Sequence, residues 1–154
     1  DHAPDQKSTV YGSYTFGDTT NIIPRGYQGD PTKFRLIHAG SEVFHTLIVH
    51  FENGVPLQCE DRFVNPACAP AYLAADFTRT TPTHVLFEST ALWRAQYSIE
   101  AARPTRQEAR LLGIDAGEPC LIVVRRTFTT DAVITIARLV QPGSRYTLQG
   151  EFEP

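Results

Sequence analysis

Long apolar runs are missing from this sequence, and no signal-peptide pattern opens it. No stretch approaches the ~20 apolar residues that a membrane-spanning helix requires, so no membrane role is expected. Basic residues are not in excess: 14 Lys and Arg stand against 17 Asp and Glu, a net charge of −3. The longest basic run is Arg125-Arg126. Binding nucleic acid needs clustered cations that neutralise several phosphates at once, so these residues alone are expected not to hold DNA. Cysteine is scarce. Cys59, Cys68 and Cys120 form an odd set without CxxC spacing. Cys59 and Cys120 fall in apolar strand patterns, as buried free thiols of a reducing cytoplasm would. Methionine is absent altogether, initiator included, which leads us to expect an excerpt of a longer protein.

What is present is the composition of an ordinary globule, 42% hydrophobic and 20% charged over 154 residues. That length suits one domain able to bury roughly two-thirds of its unfolded surface. The most informative stretch is Val43 to Pro66, which reads as a β-hairpin. A two-residue Asn53-Gly54 turn would set Glu60 beside Leu47 and His50 beside Leu57. A three-residue loop, Glu52-Asn53-Gly54 with Gly54 left-handed and a G1 bulge, sorts the faces better. Leu47, Val49, Phe51, Val55, Leu57, Cys59 and Phe63 then share a core face. Thr46, Ile48, His50, Gln58, Glu60 and Arg62 share the other, which is either the wet side of an antiparallel sheet or the wall of a small polar cavity.

Further along, strand and helix signals alternate without βαβ spacing. Val10–Phe16 and Lys33–His38 are candidate short strands, and Pro70–Ala75 is a short helix. Thr81-Pro82 announces another helix over Pro82–Phe87, with Thr at the N-cap and Pro at its first position. Leu92–Ala101 alternates as a strand, with Trp93, Ala95, Tyr97, Ile99 and Ala101 on one face. Thr105 to Glu108 is a capping box for a helix ending at Leu112, with Gly113 as its C-cap. Cys120–Thr129 and Val133–Val140 form a second hairpin over Asp131-Ala132, and Tyr146–Phe152 reads as a last strand. The fold class is therefore α+β, a mostly antiparallel sheet with short helices packed at its side.

The chemistry of catalysis is thin. His45 and His50, five apart on a strand, point to opposite faces, and His38 and His84 have no partner at ligand spacing; no metal site is expected. There is no GxSxG elbow, and Ser144 is a turn residue. Burial amid Ile48 and His50 would raise the pKa of Glu60, yet one carboxylate is a weak catalytic signal. Anion binding is better supported. The Thr81-Pro82-Thr83 helix start offers free N–H groups, hydroxyls and the positive end of a helix dipole. With a two-residue second turn, Arg125 stands opposite Arg138, an arrangement that asks for an acid between them: Glu60, Glu100 or a bound carboxylate.

The hairpin VFHTLIVHFENGVPLQCEDRFVNP, the segments APAYLAADFT and TTP, GEPCLIVVRRTF, and ARLVQPGSRYTLQGEF together resemble the UTRA effector-binding domain of GntR-type bacterial repressors. Within that group they are similar to the HutC subfamily, the histidine utilization repressors. The resemblance covers residues 41 to 152, so 41–154 is expected to be the UTRA domain, with 1–40 a linker remnant and first strands. It implies the chorismate lyase-like fold, no catalytic role and no cofactor. It also implies a homodimer that meets operator DNA only through an N-terminal winged helix-turn-helix domain outside this fragment. The implied partner is a small effector, urocanate or a related imidazole acid. An Arg (Arg125 or Arg138) with Thr81 and Thr83 would clamp the carboxylate. Glu60 would accept from the imidazole N–H, with His50 or Gln58 beside it, and Tyr97 or Phe44 would pack on the ligand plane. His50 falls where sugar-phosphate-sensing members carry Arg, which favours a smaller ligand. The readings from other classes are a chorismate lyase-like enzyme that removes pyruvate from chorismate, and a dimerisation module without a ligand.

Overall fold

The structure is a computed structural model that describes residues 43–154 and the strand at 6–16. Six strands form one sheet: β1 (Gln6–Phe16), β2 (Val43–Glu52), β3 (Val55–Val64), β4 (Arg94–Ala102), β5 (Cys120–Phe128) and β6 (Val133–Pro142). Their order is β1-β2-β3-β6-β5-β4, and every neighbouring pair is antiparallel. The expected α+β class is what is found. The candidate strand at Val10–Phe16 lies within β1, whereas Lys33–His38 lies outside the described residues.

The first hairpin corrects the expected turn. Asn53 and Gly54 both carry positive φ, 53° and 77°, and Glu52 pairs with Val55. This is a two-residue Asn-Gly loop whose twist matches that of its strands. The register then slips: Phe51 pairs with Pro56 but His50 with Gln58, so Leu57 is the extra residue of a bulge. The bulge, placed in the arm rather than the turn, restores the predicted sorting of the polar face. Thr46 meets Arg62, Ile48 meets Glu60 and His50 meets Gln58. Val55, expected in the core, sits at the turn and is 42% exposed.

The two faces of the sheet are covered by different elements. On one, Ile48, Val64 and Ile134 pack under Tyr72 of a 3-10 helix (Tyr72–Ala74), Phe77, and Leu86 of α1 (Pro82–Ser89). On the other, Val49, Cys59, Cys120, Ile122 and Val140 pack under Leu112 of α2 (Arg106–Leu112). Leu112 is fully buried, a transfer worth about 1.5–3 kcal/mol. α1 begins as its sequence dictates: Thr81 Oγ1 accepts from the His84 N–H at 3.2 Å and Pro82 occupies the first turn. α2 carries the predicted capping box, and Gly113 closes it with φ 62°.

The expected last strand is not formed: residues 146–152 lie outside any strand, with Leu148 58% and Phe152 86% exposed. The alternation is there, but β6, which precedes it, is paired on both sides by β3 and β5. A chain turning straight back from β6 meets no free backbone.

Candidate functional site

Pairing across an antiparallel sheet puts directly opposed residues on one face. Following the partners gives a row, Thr46–Arg62–Ala137–Arg125–Tyr97, running from β2 to β4. The next row is Phe44–Val64–Thr135–Thr127–Ala95. Two arginines thus flank a fully buried alanine, their Cα atoms about 10 Å apart at two strand spacings. A cavity of about 280 Å³ opens here. Its sheet side is Arg62, Arg125, Thr127, Thr135, Ala95 and Tyr97; its other wall is Thr83, Leu86, Phe87 and Thr90 from α1 and its end, with Leu92. Ala137 stands between the two arginines in the row, and α1 covers the cavity from above.

Arg62 is 2% exposed and firmly held. Its Nε donates to Glu60 Oε2 at 3.1 Å and its Nη1 to Thr135 Oγ1 at 3.2 Å, while Thr135 donates to the Phe63 carbonyl at 2.8 Å. Burial by itself would push the Glu60 carboxyl up. The Arg62 charge and the His50 contact outweigh that and hold it at about 2. The expected rise in the Glu60 pKa is therefore reversed, because its neighbours favour the charged form more strongly than burial opposes it. Arg125 lines the cavity with no carboxylate within 4.0 Å among the described residues.

Of the residues singled out from sequence, Thr83, Tyr97 and Arg125 meet in the cavity, with Tyr97 at its rim, 69% exposed. Thr81 is engaged in capping α1. His50, Gln58 and Glu60 share the cavity's face of the sheet but lie outside its lining: His50 Nε2 is 3.2 Å from Glu60 Oε1, and Gln58 accepts from Gln141 at 2.9 Å. Arg138 is on the opposite face. A register shift between Thr127 and Phe128 sets Arg125 against Ala137, and Arg138 against Val124, so the predicted Arg125–Arg138 opposition does not occur. Arg138 instead donates to Glu108 of α2, from Nε at 2.9 Å and from Nη2 at 3.1 Å. The predicted separation of His45 from His50 holds: His45 stacks on Phe63 and bonds Asp61, away from Glu60.

Sequence reasoning set Arg62 on the polar face without naming it as a ligand contact, and missed Thr127 and Thr135 as cavity groups. Arg62 was legible, two residues from Glu60 on the polar face. The threonines needed the register of the second hairpin, which its bulge conceals. As chemistry, the arrangement suits holding rather than turnover. Two guanidiniums and several hydroxyls would bind a carboxylate, and Leu86, Phe87 and Tyr97 would cover a flat apolar body. Cys59 faces α2, its thiol pushed up by burial to about 12, which disqualifies it as a nucleophile at neutral pH.

Residues 33–147 match the UTRA domain family. The chain is 52% identical over 113 residues to a histidine utilization repressor of Pseudomonas putida, covering 73% of this chain and 46% of that one. It is 48% identical over 113 residues to the Klebsiella aerogenes repressor of the same name, covering 73% and 47%. It therefore spans about half the length of these curated relatives. Among solved structures, the C-terminal domain of the histidine utilization repressor from Pseudomonas syringae pv. tomato str. DC3000 superposes with a TM-score of 0.85 at 39% identity, covering 97% of this chain and 99% of that one. The effector domain of PhnF from Mycobacterium smegmatis shares the fold, with a TM-score of 0.78 at 19% identity, covering 97% and 88%. The relatives are named repressors, which sets the chain among regulators rather than enzymes and disfavours the lyase reading. The chain belongs to the UTRA domain family, as an effector domain of the histidine utilization repressor type among the GntR regulators.

Proposed function

We propose that this domain senses urocanate, or a closely related small imidazole acid, in the cavity between α1 and the sheet. The observation that carries the reading is the pair Arg62 and Arg125 separated by Ala137 under the start of α1. The ligand carboxylate lies between the arginines with Thr83 or Thr127 as a further donor. The acrylate and ring lie along Leu86, Phe87 and Tyr97. Because the ligand touches both the sheet and α1, it favours the arrangement of the domain in which these two are closed on each other. In a cytoplasmic dimer carrying N-terminal DNA-binding domains, that preference shifts the population away from the DNA-competent spacing and releases the operator.

Thermal unfolding with urocanate, histidine and chorismate tests the reading. Urocanate at ten- to a hundredfold above its Kd is expected to add about 1–3 kcal/mol of stability. An unmoved melting temperature with urocanate, beside a rise with another acid, replaces the effector. The dimer is checked by sedimentation at tens of micromolar, where a monomer alone argues against it. The isolated fragment is expected to leave operator DNA unshifted at physiological salt, since no basic cluster supports binding.

A further inference from the structure

Glu60 is 4% exposed and lies beside the cavity without lining it. Its two oxygens face different partners, Oε1 toward His50 and Oε2 toward Arg62 Nε. Arg62 is held a second time through Nη1 by Thr135, which is itself tied to the backbone of β3. A guanidinium is planar, so fixing Nε and Nη1 fixes the whole fork, Nη2 included. Glu60 and Arg62 are two residues apart on one strand, so the pleat keeps them adjacent on one face. Their own bond joins no separate elements, and what it adds to the sheet's pairing is the direction of Arg62.

Resting on the reading of the cavity as a carboxylate site, we infer that Glu60 is a positioning and specificity-determining residue: it orients Arg62 toward the cavity and lowers the local positive charge, so that the site selects monoanions over dianions. Glu60 does not touch the ligand. The charge count follows from the residues: Arg62 and Arg125 contribute +2 and ionised Glu60 −1, which leaves +1 to meet a single carboxylate. With a neutral residue at position 60 the same cavity carries +2, and a dianion such as inorganic phosphate is discriminated against less.

The experiment compares urocanate with inorganic phosphate on the 154-residue chain by calorimetric titration at one pH above about 8, where inorganic phosphate is mainly the dianion, for the wild type, Glu60→Gln and Glu60→Asp. The wild type is expected to prefer urocanate. Glu60→Gln is expected to lower urocanate affinity and narrow the urocanate-to-phosphate ratio by about tenfold or more, whereas Glu60→Asp, still charged, keeps the ratio while losing affinity to both. A ratio unchanged in Glu60→Gln overturns the inference. Should Glu60→Gln not fold, Glu60→Asp and the Arg62 Nε–H signal of the wild type carry the test. The Arg62 Nε–H signal in nitrogen-resolved NMR is expected to exchange slowly in the ligand-free chain and to hold its shift on saturation with urocanate. Fast exchange without ligand overturns the tether alone. A large shift on saturation means that Glu60 turns to the ligand, which overturns the positioning role. If neither urocanate nor phosphate binds the wild type, the cavity reading and the selectivity role fail together, while slow Nε–H exchange still reports the tether.

Discussion

Two buried arginines on adjacent strands, each facing a glutamate, do different things on the two sides of the sheet. Arg138 of β6 gives two hydrogen bonds to Glu108, which comes from α2, 30 residues away in the chain. Glu108 also accepts from the Thr105 N–H at 2.8 Å as the capping box of α2. That pair is a tertiary clamp: it holds a helix end and a sheet together. Arg62 of β3 has its glutamate two residues away on its own strand; the pair reaches only its sheet neighbours, His50 of β2 and Thr135 of β6, and holds no helix to the sheet. A buried ion pair is weak evidence for stability, because desolvating both charges offsets their attraction. Its retention makes sense if the direction of the guanidinium is what matters. One face of the sheet is sealed with its charge satisfied, and the other presents charge to a cavity.

The strongest way to break this comparison is to remove the clamp. Glu108→Ala takes from Arg138 its bidentate carboxylate partner and from α2 its capping box. The expected loss is about 3–5 kcal/mol in urea unfolding, with urocanate affinity unchanged at a temperature where the variant is folded. If affinity falls with stability, the two faces are coupled and the division of labour is wrong.

Acid should act on both faces. Glu60 falls from an ordinary 4.5 to about 2, where burial pushes up and Arg62 and His50 push down harder. Glu108 is also lowered: burial raises it, but its bonds from Arg138 and Thr105 prevail. A carboxyl with a depressed folded pKa contributes stability that is complete above its unfolded pKa and disappears as pH falls toward the folded one. For Glu60 that window runs from 4.5 down to about 2. Urea midpoints measured from pH 7 to pH 2 should therefore fall mainly below pH 4.5. The decline should be shallower in Glu60→Gln, which has no such carboxyl to protonate. An identical slope in both would remove Glu60 as a source of acid sensitivity.

On the cavity side, Arg125→Met should separate binding from folding. Arg125 is half-buried and pairs across to Ala137 and Tyr97 rather than to a carboxylate partner. Its loss should weaken urocanate by about 1.5–3 kcal/mol, the range for a hydrogen bond to a charged group. The ligand-free melting temperature should stay nearly unchanged. Full-strength binding in this variant, measured by calorimetry, would leave Arg62 as the carboxylate's anchor and dissolve the two-arginine slot.

The residues that were legible from sequence are those whose signals are local. Thr81-Pro82 and the Thr105–Glu108 box declare their helices because capping needs only neighbours in the chain. Alternation gave β4 and the polar face of the first hairpin. The errors were of two kinds. Bulges at Leu57 and between Thr127 and Phe128 insert a residue without disturbing composition, so the registers that depend on them stayed hidden. With them hid Ala137 as the residue set between the arginines. Residues 146–152 failed for a different reason: alternation states what a strand would bury, not whether a sheet edge is free beside it. Arg138 was displaced from the site by the same missed bulge, and nothing local ties it to Glu108.

The smallest effect distinguishes two threonines one residue apart from Pro82. Thr81 Oγ1 accepts from the His84 N–H, while Thr83 lines the cavity. Thr81→Ala removes a cap, which should cost about 1 kcal/mol of stability. Urocanate should still bind, because Thr81 is outside the lining. Thr83→Val keeps the shape of its side chain and removes the hydroxyl, at a position where the backbone remains helical. It should cost little in stability and weaken urocanate by about 0.5–1.5 kcal/mol, the usual net worth of one hydrogen bond. Stability and affinity measured side by side on the two variants decide whether the start of α1 is a cap, a ligand contact or both. If Thr81→Ala lowers affinity beyond its stability cost, the cap orients the ligand-facing turn, and the helix start belongs to the site as a unit.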